Sequence, residues 1–215
     1  MHFVVIAGPQ SSDKTTAFTH LQQKYQDRFD YHPEINQLNV HGVTLGSIAV
    51  SASMEEEILQ ADIAQITHIH DTHKIQIYET AMFHLVYVNS LAPGLYKQAK
   101  EHYREAFSGH LLDVIFIDTL PETSFARRRP IYLARIEGEI TKKRLAKSPA
   151  TTYTNEMLQK YEKRIQDLFP IWHHVYDEIS YANRKVTINN NKTEEEFLSE
   201  FHRVINELSA PQNNN

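Results

Sequence analysis

The chain has 215 residues, 41% hydrophobic and 23% charged, a composition that excludes a disordered or membrane-embedded chain and suffices for one globular domain with a substantial core. Twenty-two basic against 27 acidic residues give a net charge of −5, so bulk electrostatics supplies no drive toward nucleic acid, and the lack of cysteine removes disulfides, thiolate chemistry and cysteine-based zinc. No apolar run nears the roughly 18 residues needed to span a bilayer, and the start lacks the cationic region of an export signal, so no membrane partner and a reducing cytoplasm are expected.

In chain order, residues 2–7 form a short apolar run rich in Val and Ile, the pattern of a strand buried on both faces. From Lys14 the period changes, with Phe18, Leu21 and Tyr25 at i, i+3, i+7, which predicts an amphipathic helix. Residues 43–51 alternate weakly and are read as a strand. Ser53-Met54-Glu55-Glu56 has the form of a capping box ahead of Leu59, Ile63 and Ile66, predicting a helix that ends near the His-rich stretch 67–73. A second core strand, KIQIYET, covers 74–80 and ends on an acid. Residues 81–107 read as helix interrupted at Pro93-Gly94. A third strand, LLDVIFID at 111–118, again ends on an acid, and Pro121 suits the first turn of a short helix.

The segment 127–147 is strongly basic and weakly periodic. Leu158, Tyr161, Ile165 and Leu168 mark a further helix, Arg184–Ile188 a last strand, and Thr193-Glu194-Glu195-Glu196 a capping box before a wide apolar stripe from Phe197 to Leu208. Strands alternating with helices predict one α/β domain over 1–208, a parallel sheet with helices on both faces in three layers, followed by a polar tail at 209–215 expected to be disordered.

The first strand leads into Gly8-Pro9-Gln10-Ser11-Ser12-Asp13-Lys14-Thr15-Thr16, one residue away from the phosphate-cradling pattern G-x-x-x-x-G-K-[ST]. A strand, a turn and a helix start direct successive backbone N–H groups at one point, which favours phosphate. Lys14 would reach the β- and γ-phosphates and Thr15 would offer a hydroxyl to magnesium. Gly8, Gln10, Ser11, Ser12 and Thr16 complete the nucleotide-binding loop. Asp13 stands where the second glycine belongs. Aspartate tolerates positive φ, but a carboxylate about 6 Å from one phosphate charge is repelled by roughly 3 kcal/mol at an effective dielectric near 20, or ~100-fold in affinity, unless a cation screens it.

Three acids, Glu34, Glu79 and Asp118, follow or end strands, and ligands in open parallel sheets bind beyond those ends. One can deprotonate a substrate hydroxyl and another hold a magnesium-bound water. Arg127, Arg128 and Arg129 form the densest positive cluster, suited to the charge that spreads over a transferring phosphoryl group, with Arg128 the middle choice. The alternative for this cluster is a solvated helix face balanced by Glu137 and Glu139. His68, His70 and His73 lack helical i, i+4 spacing and read as a solvated loop rather than a metal site. Tyr78, Tyr87, Tyr96 and Tyr103 read as core, with a part in lining a base or sugar pocket as the alternative.

These motifs resemble, in order, those of P-loop kinases of the deoxynucleoside-kinase and thymidylate-kinase type, and FVVIAGPQSSDKTT also resembles ribosylnicotinamide-kinase-like ATPase domains. Pro33-Glu34 is similar to the acid after the second strand that serves there as general base. Tyr78-Glu79-Thr80 looks like the acidic end of the third strand, with Thr80 where an arginine is usual. DTLPETSFARRR at 118–129 resembles the Pro-Glu turn and arginine-bearing lid, here about 127–147. The resemblance implies an ATP- and Mg2+-dependent phosphotransferase acting on a nucleoside, nucleotide or similar small hydroxylated substrate. In that reading Lys14, Glu34 and Arg128 are catalytic, Arg127 and Arg129 contact the nucleotide, and Thr15 and Glu79 hold the metal, while the oligomeric state is left open by the sequence, with a homodimer as one arrangement. Two alternatives remain open at this point, a catalytically impaired kinase fold used for protein binding and a nucleotide-binding switch or slow NTPase.

Overall fold

The computed structural model describes residues 1–35, 51–69, 73–143 and 150–210. Five parallel strands, β1 (His2–Ala7), β2 (Phe29–His32), β3 (Ile75–Glu79), β4 (Leu111–Asp118) and β5 (Arg184–Asn189), lie in the order β2-β3-β1-β4-β5. The helices between them are α1 (Lys14–Lys24), α2 (Ala52–Thr67), a 3-10 turn at Ala81–His84 leading into α3 (Leu85–Leu91), α4 (Pro93–Ala106), α5 (Pro121–Lys143), α6 (Ala150–Glu178) and α7 (Glu194–Leu208).

The period-2 alternation of a strand sorts β1 between two cores. Phe3, Val5 and Ala7 face Leu59 and Ile66 of α2, Leu85 and Val86 of α3, Tyr103 of α4 and Trp172 of α6. Val4 and Ile6 face Phe18 and Leu21 of α1 and Phe197, Phe201 and Val204 of α7. Each such side chain contributes about 1.5–3 kcal/mol over its exposed state, which explains why the central strands are apolar on both faces. The three-layer α/β architecture expected from the sequence is the one observed. Among the described residues no helix is long and apolar enough to cross a membrane.

Local chemistry sets the boundaries. The Thr193 hydroxyl accepts from the Glu196 N–H at 3.3 Å while the Glu196 carboxylate accepts from the Thr193 N–H at 3.1 Å, closing the anticipated capping box of α7. Pro93 opens α4 at its first turn, where a missing N–H costs nothing, which accounts for the break seen in the sequence. The start of α2 differs from expectation. Ser51, not Ser53, is the N-cap and accepts from the Met54 N–H at 3.3 Å, because its extended backbone (ψ 157°) already stands outside the helix.

Two further features depart from the sequence reading. β2 is an edge strand paired only with β3, and its Asp30 and His32 hide the apolar signal. The region after Pro121 is a helix of 23 residues rather than a short one. Its buried residues Tyr132 and Ile136 lie against Met157, Tyr161, Ile165 and Phe169 of α6, with the Tyr132 and Tyr161 rings stacked at 4.1 Å. Residues 43–50 of the strand expected at 43–51, His70, Arg144, Lys147 and the tail from 211 fall outside the described residues, while Ser51 is the N-cap of α2.

Candidate functional site

The parallel topology brings the C-terminal ends of β1, β2, β3 and β4 to one edge, where the loop between β1 and α1 runs. Gly8 adopts φ +153°, and a Cβ there would stand 2.2 Å from the Ile117 carbonyl oxygen, so only glycine lets the chain turn out of β1 so close to β4. The Ser12 N–H donates to the Pro9 carbonyl at 3.2 Å, forming the turn. Ser11 (φ 58°) and Asp13 (φ 67°) take left-handed backbone, and Asp13 is the N-cap of α1. Aspartate thus supplies the dihedral that the usual glycine would, at modest strain.

The Asp13 side chain makes no capping bond to α1. Its carboxylate instead meets the Arg127 guanidinium at 3.0 Å and accepts from the Asn190 side-chain amide at 2.8 Å. An arginine is thus present beside Asp13 as a screening cation, and it lowers the repulsion that a phosphate would meet. The Arg127 guanidinium also donates to the Ser11 carbonyl at 3.1 Å and the Asn190 carbonyl at 3.3 Å, and the Ser124 hydroxyl donates to the Gln10 carbonyl. The N-terminal turns of α5 are thereby fixed to the loop.

Lys14 lies at the centre. Its ammonium donates to the Pro9 carbonyl at 3.1 Å and sits 5.6 Å from the centre of the Trp172 ring. Burial pushes its pKa below the ordinary 10.5, against the opposing pull of Glu34 and Glu79. Among the described residues no carboxylate lies within ion-pair distance of the Lys14 ammonium, and a cation so placed is suited to receive an anion. Thr15 donates its hydroxyl to Glu79, which is 5% exposed at the end of β3. Burial raises the Glu79 pKa, partly offset by the Thr15 hydrogen bond. A hydroxyl beside a carboxylate is a hard-oxygen donor set, and the pair fits magnesium.

Glu34 follows β2 by two residues, directly after Pro33. Burial raises its pKa, while the nearby Lys14 and Arg128 charges pull it down. Tyr87 joins the same group of side chains: it accepts from the Gln10 amide at 3.2 Å, and burial with the nearby Glu34 pushes its hydroxyl up to about 12. Of the three arginines, Arg127 is tied to the loop, Arg128 lies within electrostatic reach of Lys14, Glu34 and Tyr87 with its buried Nε unpartnered among the described residues, and Arg129 is exposed. Thr16 is likewise exposed, on the first turn of α1.

The other singled-out residues go elsewhere. Asp118 ends β4 and pairs with His173 at 3.3 Å, and His174 lies 3.5 Å from Glu178. Tyr78 is buried and stacked on His32 at 4.3 Å, Tyr103 donates to Asp62 at 2.6 Å, and Tyr96 donates to Glu178 at 2.5 Å. Only Tyr87 of the four tyrosines reaches the loop. His68 ends α2 with its ring 2.6 Å from the Ala64 carbonyl. Thr80, where an arginine was looked for, has φ 70°, an outlier for a β-branched residue, fixed by its N–H donating to Ile6 at 2.8 Å.

Three contributors were missed by sequence reasoning, namely Asn190, Ser124 and Trp172. Asn190 was recoverable in principle, since it directly follows the last strand and so lies at the ligand-binding edge of the sheet.

No protein-family model and no curated protein matches the chain. Among solved structures, a deoxyadenosine kinase from M. mycoides with bound dATP superposes with a TM-score of 0.57 at 12% identity, covering 95% of this chain and 99% of that one. The same enzyme with bound dCTP gives 0.51 at 14% identity, covering 95% and 99%. The YorR protein from Bacillus subtilis, in complex with phosphorylated GDP, gives 0.54 at 11% identity, covering 96% of each chain. The chain has the fold of P-loop deoxynucleoside kinases.

Proposed function

We propose that this chain is an ATP- and magnesium-dependent phosphotransferase whose acceptor is a nucleoside, nucleotide or related small hydroxylated molecule. The observation that carries the reading is the placement of Glu34, Glu79 and Arg128 within electrostatic reach of Lys14, beside a turn that tolerates only glycine at Gly8. The likeness to solved structures that hold dATP, dCTP and a phosphorylated guanine nucleotide supports the same substrate class.

In this reading the backbone of residues 8–15 and the Lys14 ammonium hold the donor phosphates. Thr15 and Glu79 would hold magnesium, which when bound offsets phosphate charge. Glu34 accepts the proton of the acceptor hydroxyl as its oxygen attacks the γ-phosphorus, and the departing electron pair goes to the bridging oxygen of ADP. Arg128 offsets charge on the transferred group, and Arg127 acts on the loop itself. Positioning and electrostatics supply most of the acceleration. We take 1–208 as one domain and the lid as beginning at Arg127, whose neighbour Arg128 lies within electrostatic reach of Lys14.

The test is ADP release from Mg-ATP with a panel of nucleosides and nucleotides, using the wild-type chain, Glu34→Gln and Lys14→Met. Acceptor-dependent release that both variants abolish is expected. Release no greater with any acceptor than with ATP alone would refute the transferase reading, and steady release from ATP alone would replace it with a slow NTPase.

A further inference from the structure

We infer that Asp13 is a positioning residue: with Arg127 and Asn190 it forms a clasp that holds the phosphate loop in its receptive shape, so that restoring the usual glycine weakens binding instead of improving it. The inference rests on the phosphate reading above. It reverses what the motif alone suggests, which is that an acid at this position must be harmful.

Three segments far apart in sequence are cross-tied at this one side chain. Asp13 belongs to the loop, Arg127 to α5 and Asn190 to the turn between β5 and α7. Asn190 is 1% exposed, and its side-chain amide is divided between the Ser12 carbonyl at 2.9 Å and the Asp13 carboxylate at 2.8 Å. Its own backbone is held on both sides, since its N–H donates to the Asp118 carbonyl at 2.7 Å and its carbonyl accepts from Arg127. The clasp is therefore anchored to β4 and α5.

An ordinary surface ion pair contributes little, and the partial exposure of Asp13 (37%) and Arg127 (30%) would screen this one. The buried Asn190 changes the balance. Glycine at 13 would leave a buried amide hydrogen without its acceptor, release Arg127 from its carboxylate and restore backbone freedom to a residue held at φ 67°. The Ser11 and Ser12 carbonyls would then be held only by an Arg127 and an Asn190 that have themselves lost the Asp13 carboxylate, and could turn toward Lys14. Carbonyl oxygens pointing inward repel a phosphate, whereas N–H groups attract it.

Asparagine at 13 separates charge from geometry. It tolerates left-handed backbone and keeps an oxygen for Asn190 but gives up the ion pair.

The experiment is calorimetric titration with Mg-ATP and with inorganic tripolyphosphate of the wild-type chain, Asp13→Gly, Asp13→Asn, Arg127→Met and the double variant Asp13→Gly/Arg127→Met. Backbone amide exchange of residues 10–14 is followed in parallel. We expect Asp13→Gly and Arg127→Met each to weaken tripolyphosphate by about tenfold, Asp13→Asn to retain most of the affinity, and the double variant to be no weaker than either single one. Amides 10–14 should exchange faster in both single variants. Tighter binding by Asp13→Gly, or losses that multiply in the double variant, would overturn the clasp. If the wild-type chain binds neither ligand, the phosphate reading fails, and amide exchange still decides the clasp: acceleration in both single variants supports it, unchanged exchange refutes it.

Discussion

Replacing Gly8 by alanine tests the geometry on which the site is built. The added Cβ would lie 2.2 Å from the Ile117 carbonyl oxygen and 2.7 Å from Ser12 Oγ, where ordinary contact begins at 3.4 Å. The Ile117 oxygen belongs to β4, which is paired with β1 on one side and with β5 through Ile117 and Ile188 on the other. Relief therefore requires a shift of about 1 Å between central strands or a reshaped loop. Overpacking of this kind costs roughly 1–3 kcal/mol. Holding a non-glycine residue in a sparsely populated region such as φ +153° adds roughly 1–3 kcal/mol. At about 2–4 °C per kcal/mol for a chain of this size, Gly8→Ala should lower the thermal unfolding midpoint by roughly 10 °C. It should also remove measurable Mg-ATP binding below the transition. Unfolding by circular dichroism and titration of the folded variant are the assays. A midpoint within about 2 °C of wild type, with Mg-ATP affinity retained, would refute the argument that the loop depends on this close approach.

Other outcomes follow from the same physics. Anion binding draws a proton back onto Lys14, whose pKa burial holds below 10.5, so Mg-ATP affinity should decline as pH rises through that lowered value, and this decline should be absent in Lys14→Met. Burial raises Glu34, so turnover should fall as pH drops through a value above the ordinary 4.5. Because the folded chain binds that proton more tightly than the unfolded one, Glu34 contributes stability that is lost as pH rises from 4.5 through its folded value. Glu34→Gln should therefore abolish transfer yet unfold at a higher temperature at neutral pH, and a lower unfolding temperature would count against the assignment. Arg184 serves as a distant control: it donates to the 1% exposed Asp113 at 2.5 and 3.1 Å, at the opposite ends of β4 and β5 from the loop. Arg184→Ala should cost about 3 kcal/mol of stability, read by denaturant unfolding, while leaving Mg-ATP affinity unchanged. Burial opposes ionisation of Asp113, but hydrogen bonds from His2 and Arg184 hold its pKa below 3.8, so this contribution is lost only as pH falls through that depressed value.

The sheet was legible wherever burial on both faces makes a strand continuously apolar, as in β1 and β4. It was illegible in β2, an edge strand whose Asp30 and His32 answer to hydrogen bonds with Gln76 rather than to a core. In α5 the basic residues masked a helix whose buried face rests on Tyr132 and Ile136, an i, i+4 pair completed only by α6. At the site, the loop pattern after β1 pointed to Lys14 and the apolar run of β3 to Glu79, because both are local properties, whereas Glu34 came from the family resemblance, its own strand being illegible. The role of Asp13 was not local. Its sign depends on Arg127 and Asn190, 114 and 177 positions away, and no pattern within the loop announces them.

The central claim is that the loop at the start of α1 binds a polyphosphate through Lys14. Trp172 is the single tryptophan and lies 5.6 Å from the Lys14 ammonium, so its fluorescence reports directly on the lysine's position. Titration of the wild-type chain with Mg-ATP should give a saturable fluorescence change that inorganic tripolyphosphate reproduces and Lys14→Met eliminates. A flat titration in the wild-type chain, or an unaltered response in Lys14→Met, would contradict the account.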